Sequence, residues 1–332
     1  MNRILGRFVF VWLGLLSLSL SAQGYYEPPV NEELAKTKLK EAFHFLVLGD
    51  WGRNGEFYQK PVARQMAIAS KTLGGDMVVS VGDNFYPDGV ASVQDPQWNA
   101  SFESIYSQYD LNKPWLVALG NHDYYGNYEA QIEYSKISRR WVMPSTYFSR
   151  TYKLKGGQGE VLFLVIDTNP FISKYQNYKG NIGDNVRKQD PQAQLEWLNA
   201  QLANASSSVR WIFVIGHHPL YSGGVRKEAK ETEEIRALLE PIFQKHKVDA
   251  YFCGHEHDLQ IIQPKGSRTV QYLSGAGSAI RPSGEREGTK FAVSDGGFMT
   301  ASVTGNRLRV SVVNAEGKVL YTYDQEKKDF KK

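Results

Sequence analysis

The sequence predicts a single domain of mixed α and β structure whose functional residues follow the ends of its strands. The chain has 332 residues and is 42% hydrophobic, which is enough to bury a sizeable core. Short apolar runs end repeatedly at Asp, His or Gly, and helical patterns lie between some of these runs. No linker, repeat or low-complexity segment divides the sequence, so we expect one domain.

Seven apolar runs rich in β-branched and aromatic residues are the predicted strands. They are FHFLVLGD ending at Asp50, MVVSVGD at Asp83, WLVALGNHD at Asp123, VLFLVID at Asp167, WIFVIGHH at His218, AYFCGHEHD at Asp258 and VQYLSGAG at Gly277. Continuous apolar runs of this length are typical of strands buried on both faces of a sheet. A purely structural role does not explain why residues that bind metals follow so many of them.

Helical and hairpin patterns complete the predicted elements. An apolar stripe from Val62 to Leu73 predicts one helix, and Asp190 followed by Pro191 predicts the cap and first turn of another. Beyond residue 290 the pattern changes to strands, with TGN and AEGK as the predicted hairpin turns.

The N-terminus has the three-part pattern of a secretory signal peptide. Two arginines precede an apolar run from Phe8 to Leu20, which small residues follow. The alternative is an uncleaved membrane anchor, but the run is short for a span of about 20 apolar residues. We expect a signal peptide over residues 1–22, an N-terminal lead over 23–42 and one domain over 43–326. The location is then secreted or extracytoplasmic, without a stable membrane anchor.

The charge balance gives no reason to expect nucleic acid as a partner. The formal net charge is +4, but Arg3 and Arg7 lie in the predicted signal segment, and the rest of the chain has 37 basic and 35 acidic residues. We expect a monomer without a nucleic-acid partner.

Histidines cluster at the predicted strand ends. Five of the seven histidines lie in the motifs GNHD, GHHP and GHEH, while His44 and His246 fit structural positions. In GHEH, side chains two residues apart point the same way about 7 Å apart. They suit a pair of metals about 3.5–4 Å apart, between which the carboxylate of Asp83 suits the bridge. Nitrogen and oxygen donors without thiolate indicate iron, zinc or manganese.

Tyr86 follows Asp83 by three residues in the stretch GDNFYPDG. A phenol ionises at a pKa of about 10, and binding to a trivalent cation would lower this pKa greatly. Fe(III) therefore favours such an oxygen ligand. The alternative is that Tyr86 only packs beside Phe85.

Five ordered motifs resemble the metal motifs of purple acid phosphatases, especially the small tartrate-resistant (type 5) kind within the calcineurin-like metallophosphoesterase superfamily. They are GDWG at 49–52, GDNFY at 82–86, GNHD at 120–123, GHHP at 216–219 and GHEH at 254–257. The segments AQIEYSKISRRW and YLSGAG are also similar to that family. The resemblance implies a four-layer sandwich of two mixed β-sheets flanked by helices, in the α/β (α+β) class.

The resemblance also implies a role for each motif residue. Fe(III) is expected on Asp50, Tyr86 and His257. A divalent ion (Fe, Zn or Mn) is expected on Asn121, His217 and His255. Asp83 bridges the two, and His122 contacts the phosphate or protonates the leaving group. The implied reaction is hydrolysis of phosphate monoesters by direct attack of a metal-bound hydroxide.

The sequence departs from the type 5 pattern in two places. The segment PLYSGGVRKEAKE lacks the family's second active-site histidine. Arg226 or Lys227 offers an alternative phosphate contact, although we expect both to be solvated surface charges. Cys253 is the only cysteine, so residues 168–190 are expected to form a loop without the family's disulfide tether.

Three other functions remain open at this point. The nearest is a Zn- or Mn-dependent phosphodiesterase or nucleotidase of the same superfamily, against which Tyr86 argues. The second is redox chemistry at an iron pair. The third is a non-enzymatic binding module, against which the intact set of candidate ligands argues.

Overall fold

The computed structural model describes residues 29–327, which contain fourteen strands. They are β1 Phe43–Leu48, β2 Met77–Ser80, β3 Trp115–Val117, β4 Trp141–Val142, β5 Phe148–Lys153, β6 Glu160–Val165, β7 Val209–Ile215, β8 Ala250–Cys253, β9 Leu259–Ile262, β10 Val270–Ser274, β11 Thr289–Val293, β12 Gly297–Val303, β13 Arg307–Asn314 and β14 Val319–Glu326. All seven predicted strands are confirmed. The predicted signal peptide lies outside the described residues.

The strands form two seven-stranded mixed sheets. The first has the order β14-β13-β12-β1-β2-β3-β4, and the second has the order β11-β9-β10-β8-β7-β6-β5. The strands β1, β2, β3 and β4 are parallel in the first sheet, as are β6, β7, β8 and β10 in the second. The turns at 304–306 and 315–318 connect antiparallel strands, as predicted.

Seven α-helices within the described residues accompany the sheets. They are α1 Glu32–Ala35, α2 Gln59–Leu73, α3 Tyr128–Tyr134, α4 Ser173–Gln176, α5 Asn181–Val186, α6 Pro191–Ala203 and α7 Lys230–His246. One π-helical turn spans Trp98–Glu103, and 3₁₀ turns span Tyr109–Leu111, Asp123–Tyr125, Lys155–Gly157 and Asn169–Phe171. The predicted cap of α6 is confirmed, because the Asp190 carboxylate accepts a hydrogen bond from the Ala193 N–H.

The core lies between the two sheets and is largely aromatic at its centre. Phe45 of β1 contacts Phe163, Phe213 and Phe252 of the second sheet, with ring centroids 5.3, 6.1 and 5.5 Å away. Helix α2 packs on the first sheet, and Phe243 of α7 contacts Tyr251 of the second. Two mixed sheets flanked by helices confirm the predicted fold class.

This topology brings the carboxyl ends of two parallel strand groups to one edge of the sandwich. Parallel strands point their carboxyl ends the same way, and ligand sites in such sheets lie beyond those ends. The segments after β1, β2, β3, β7 and β8 hold all the predicted metal ligands. Within residues 29–327, no helix combines the length and the apolar character that crossing a bilayer requires.

Candidate metal centre

Oxygen donors from the first sheet meet one histidine of the second around the phenol of Tyr86. The Tyr86 hydroxyl oxygen lies 2.8 Å from Asp83 Oδ2, 3.1 Å from Asp50 Oδ1 and 3.2 Å from His257 Nε2. All four side chains are buried. At these distances the oxygen and nitrogen atoms surround one point, as expected for the ligand atoms of a shared cation.

Two histidines of the second sheet form a neighbouring group. His217 Nε2 lies 3.3 Å from His255 Nδ1 and 3.4 Å from Asp83 Oδ1. The other nitrogen of His217 donates to the Val81 carbonyl at 2.9 Å, and that of His255 donates to Glu231 at 3.0 Å. Since carbonyls and carboxylates only accept, the outer nitrogens carry the protons of the neutral rings. Two lone pairs then face each other, an arrangement that a cation satisfies.

Asn121 adds an amide oxygen to the same edge. Its Oδ1 atom is buried and has no hydrogen-bond partner within the described residues. A buried acceptor without a partner is costly, so such groups normally have a ligand or an ion. The donors therefore fit a pair of cations with Asp83 between them, because that carboxylate contacts both Tyr86 and His217.

Backbone strain is concentrated at three of these residues. Asp50, Asp83 and His255 have φ values of 58°, 52° and 72° in the left-handed region. Non-glycine residues rarely adopt this region, and strained residues often mark functional sites. The turns direct the side chains inward, where Asp50 accepts from the His255 N–H at 3.0 Å and Asp83 from the His122 N–H at 2.8 Å.

The glycines that precede the ligands give the carboxylates their space. A Cβ atom on Gly120 would lie 2.1 Å from Asp83 Oδ1, and one on Gly254 would lie 2.4 Å from Asp50 Oδ2. Any larger residue would therefore displace a candidate ligand. This explains why GN and GH pairs, rather than Asn or His alone, follow the strands.

The electrostatics of the centre favour positive charge. Burial opposes a charged ring, but the carboxylates of Asp83 and Asp50 raise the pKa of His217 to about 9. Burial also opposes ionisation of Asp83, yet His217 and His122 hold its pKa well below the usual value. Without a cation, burial, Asp50 and Asp83 raise the pKa of Tyr86 well above that of a free phenol. A phenolate at this position thus requires a cation.

His122 lies at the rim, where it is partly exposed. Its ring packs 4.3 Å from the ring of Tyr86, and its Nδ1 contacts the Pro87 carbonyl. Because the carbonyl only accepts, the proton of the neutral ring lies on Nδ1. Nε2 is then the nitrogen that remains to exchange a proton with a bound molecule.

His218 takes a structural role beside the centre. Its ring lies close enough to His217 and His255 that ligand atoms of the three fall within 4.8 Å of one another. However, its Nδ1 contacts the Thr168 hydroxyl at 2.8 Å and its Nε2 contacts the Tyr175 hydroxyl at 3.1 Å. Both nitrogens are therefore engaged, which leaves His217 as the candidate ligand of this adjacent pair.

Two expectations from the sequence are wrong in this region. Residues 168–190, expected to be an untethered loop, contain the short helices α4 and α5 and are held by polar contacts, including Ser173 to Glu234 and Lys174 to Glu231. Arg226 is not a solvated charge, because its guanidinium contacts Glu231 at 3.0 Å and Glu256 at 3.5 Å. Lys227 is exposed, as expected.

Sequence reasoning missed the supporting residues. Asp123 accepts from the Gly120 N–H at 2.8 Å, the Asn84 N–H at 3.1 Å and Gln131 at 2.8 Å, and so joins two ligand turns. The position of Asp123 in the motif GNHD was the one sequence feature that could have indicated this supporting role. In SGAG, the Gly277 N–H donates to the Gly49 carbonyl at 3.1 Å, so this segment supports the Asp50 turn.

Comparison with known proteins decides the family. Residues 43–259 match the Calcineurin-like phosphoesterase family. The chain is 34% identical over 324 residues to tartrate-resistant acid phosphatase type 5 of Sus scrofa, covering 92% of this chain and 93% of the relative. The chain belongs to the purple acid phosphatases. A plant member, purple acid phosphatase 7 of Arabidopsis thaliana, is 36% identical over 294 residues, covering 86% of this chain and 87% of the relative. This phosphatase therefore hydrolyses phosphate monoesters.

Solved structures agree with the fold of this phosphatase. The purple acid phosphatase PPD1 from yellow lupin superposes with a TM-score of 0.62 at 16% identity, covering 87% of this chain and 54% of the lupin chain. GAP50, described as the anchor in the inner membrane complex of Plasmodium, superposes with a TM-score of 0.76 at 26% identity, covering 87% and 90% of the two chains.

Proposed function

We propose that this phosphatase is a secreted enzyme that holds Fe(III) on Asp50, Tyr86 and His257 and a divalent ion on Asn121, His217 and His255, with Asp83 between them. The observation that carries the proposal is the pair of facing nitrogens of His217 and His255, 3.3 Å apart, whose other nitrogens already donate hydrogen bonds. The amide oxygen of Asn121, which has no hydrogen-bond partner within residues 29–327, supports it independently. The divalent ion is iron, zinc or manganese, because the donors are nitrogen and oxygen without thiolate.

When bound, two cations neutralise the charge of a phosphate monoester and lower the pKa of water. The chain's own residues orient the ester and supply the proton that the leaving group takes up. His122 is fixed by its contact with the Pro87 carbonyl and by its packing on Tyr86. We propose that Nε2 of the imidazolium form of His122 contacts the phosphate or gives its proton to the departing alkoxide, which leaves the neutral ring with its proton on Nδ1.

The comparison that tests the substrate class uses a monoester and a diester. We expect the metal-loaded protein to hydrolyse 4-nitrophenyl phosphate much faster than bis(4-nitrophenyl) phosphate in mildly acidic buffer. His122→Ala should lower the rate by about 10²–10⁴-fold, with the largest loss for poor leaving groups. Faster turnover of the diester would instead support a phosphodiesterase.

A binding role is a second candidate, because GAP50 is described as an anchor. The complete set of donors around Asp83 favours catalysis over that role. Metal-depleted protein that regains no phosphatase activity with iron and zinc would favour binding.

The proposal places the enzyme outside the cytoplasm as a monomer. The extracytoplasmic location rests on the signal-like pattern of residues 1–22, which lie outside the described residues. N-terminal sequencing of the exported protein should find a start close after Ala22. Light scattering on the same sample tests the monomer.

A further inference from the structure

Glu231 contacts the back of a candidate metal ligand. Its Oε1 atom lies 3.0 Å from His255 Nε2, on the side of the ring that faces away from His217. A carboxylate only accepts, so the ring nitrogen is the donor of this bond. The bond therefore leaves the lone pair on Nδ1, which faces the centre.

Glu231 itself is held from two sides. Its Oε1 accepts from Arg226 Nε at 3.0 Å, and its Oε2 accepts from Lys174 Nζ at 3.1 Å. The Glu231 side chain is only 9% exposed, whereas that of Lys174 is 64% exposed. The positive charges of Arg226 and Lys174 keep this buried carboxylate ionised, and their hydrogen bonds restrict its rotation. The orientation of the carboxylate is thus set before any metal binds.

The three contacts join separate parts of the chain. Glu231 is the second residue of α7, Arg226 lies in the segment before that helix, and Lys174 lies in α4. His217 obtains its outer contact differently, from the neutral carbonyl of Val81. The two histidines of the second group therefore differ in the charge behind them.

We propose that Glu231 is a positioning residue that fixes the tautomer and orientation of His255 and so sets the affinity of the divalent ion. The inference rests on the assignment of His255 as a ligand under the proposed function. A carboxylate behind a metal-binding histidine also makes the ring a stronger donor, and removing such partners typically weakens metal binding by about 10–100-fold. Glu231 acts through His255 and is not itself a ligand.

A matched pair of variants on one helix tests the inference. Glu231→Gln keeps the shape of the side chain and removes its charge. Glu234→Gln is the control, because Glu234 also bonds the α4 segment through Ser173, and its described polar contacts are with Ser173 and Lys230 alone. Each full-length, metal-depleted protein is titrated with Zn²⁺ against a chromophoric chelator, and the rise in unfolding temperature with Zn²⁺ is measured in parallel.

The expected result is about 10–100-fold weaker binding of one of two Zn²⁺ ions in Glu231→Gln and less than about a threefold change in Glu234→Gln. Glu231→Asp, which keeps the charge but retracts it from His255, should give an intermediate loss. If Glu231→Gln does not fold, Glu231→Asp against Glu234→Asp makes the same comparison.

A third variant separates this inference from the site assignment. His255→Asn should weaken the same Zn²⁺ ion, and adding Glu231→Gln to it should cause no further loss. Unchanged binding in Glu231→Gln together with weak binding in His255→Asn would overturn the role of Glu231 and leave the site intact. Two tight Zn²⁺ ions in His255→Asn would overturn the site assignment instead.

Discussion

His217 Nε2 and His255 Nδ1 face each other at 3.3 Å, and each ring donates through its other nitrogen to a fixed acceptor. The acceptors differ, one being the Val81 carbonyl and the other the Glu231 carboxylate. Rings held in this way have these two nitrogens directed at a common point before a metal arrives. Such preorganisation lowers the cost of binding, because the ligands need little reordering.

Replacing Asn121 should separate stability from metal binding. Among the described residues its Oδ1 has no hydrogen-bond partner, so Asn121→Ala should change the free energy of unfolding of the metal-free protein by less than about 1 kcal/mol. The same change should weaken binding of the divalent ion by at least about tenfold, since supporting contacts alone are worth that much. Urea unfolding and Zn²⁺ titration measure the two effects.

Asn84→Ala is the matched control for that prediction. Asn84 is buried, and its side-chain amide donates to the Ala118 carbonyl at 2.9 Å while its Oδ1 accepts from Ser80 at 2.6 Å. Its loss should lower the free energy of unfolding by about 2–4 kcal/mol. Equal destabilisation by both substitutions would contradict the view that Asn121 is reserved for a ligand.

Gly120→Ala should disable the centre. The added Cβ would lie 2.1 Å from Asp83 Oδ1 and 2.2 Å from the Asp83 nitrogen, so the bridging carboxylate must move. We expect at least about a tenfold loss of metal affinity, measured by metal content after dialysis. Gly157→Ala is the control, because its Cβ would meet nothing within 4 Å in the described part of the chain, and it should cost only about 1 kcal/mol of backbone strain. Full metal content in Gly120→Ala would refute the steric argument.

His44 should make the protein less stable in acid. Burial, helped by Lys155, lowers the pKa of His44 from 6.5 to about 4. The unfolded chain therefore takes up a proton at this residue below the unfolded pKa, while the folded chain does not until the pH nears the lower value. Stability is lost as the pH falls through that window, by up to about 3 kcal/mol.

Urea unfolding of His44→Asn across the same pH window checks this contribution. The free energy of unfolding of the variant should depend less steeply on pH than that of the unmodified protein. His246→Gln is the control, since His246 is partly exposed. Over the window, the change in its free energy of unfolding should differ from that of the unmodified protein by less than about 0.5 kcal/mol. Parallel curves for His44→Asn and the unmodified protein would rule out the contribution of His44.

Arg53 should tune the electronic properties of Tyr86. The guanidinium carbon lies 3.5 Å from the centroid of the Tyr86 ring, and Arg53 Nε donates to the Ser278 hydroxyl at 3.2 Å. A cation over the ring stabilises phenolate electrons, so Arg53→Gln should move an Fe(III)–phenolate band to longer wavelength. The expected shift is roughly 5–20 nm, which corresponds to about 0.5–2 kcal/mol. Arg53→Lys should shift the band less, and a shift to shorter wavelength would contradict the argument.

Much of the site could be predicted from the sequence because its candidate ligands follow strands. Apolar runs that stop at Asp50, Asp83 or His217 identify strand ends, and parallel strands bring such ends to one edge. The local motifs therefore indicated which residues meet at this edge. Tyr86 needed the resemblance, since its pattern alone also suits packing.

The supporting residues could not be predicted, because only the tertiary fold brings them to the ligands. Glu231 lies 24 positions before His255 on a helix whose pattern is that of a surface helix. Arg226 carries a charge in a glycine-rich segment, and such a charge is usually solvated. Its ion pairs are with Glu231 and Glu256, which come from different parts of the chain. The partners of such a charge can be identified only from the tertiary structure.

The central claim is that Tyr86 binds Fe(III) as a phenolate. Its pKa is raised by burial and by Asp50 and Asp83, so ionisation near neutral pH requires a cation. The most direct measurement is the visible absorption spectrum of iron-loaded protein. A violet or pink band that is lost in Tyr86→Phe and kept in Tyr272→Phe, another buried tyrosine, is the predicted result. A colourless protein with its full metal content, or a band that persists in Tyr86→Phe, would contradict the account.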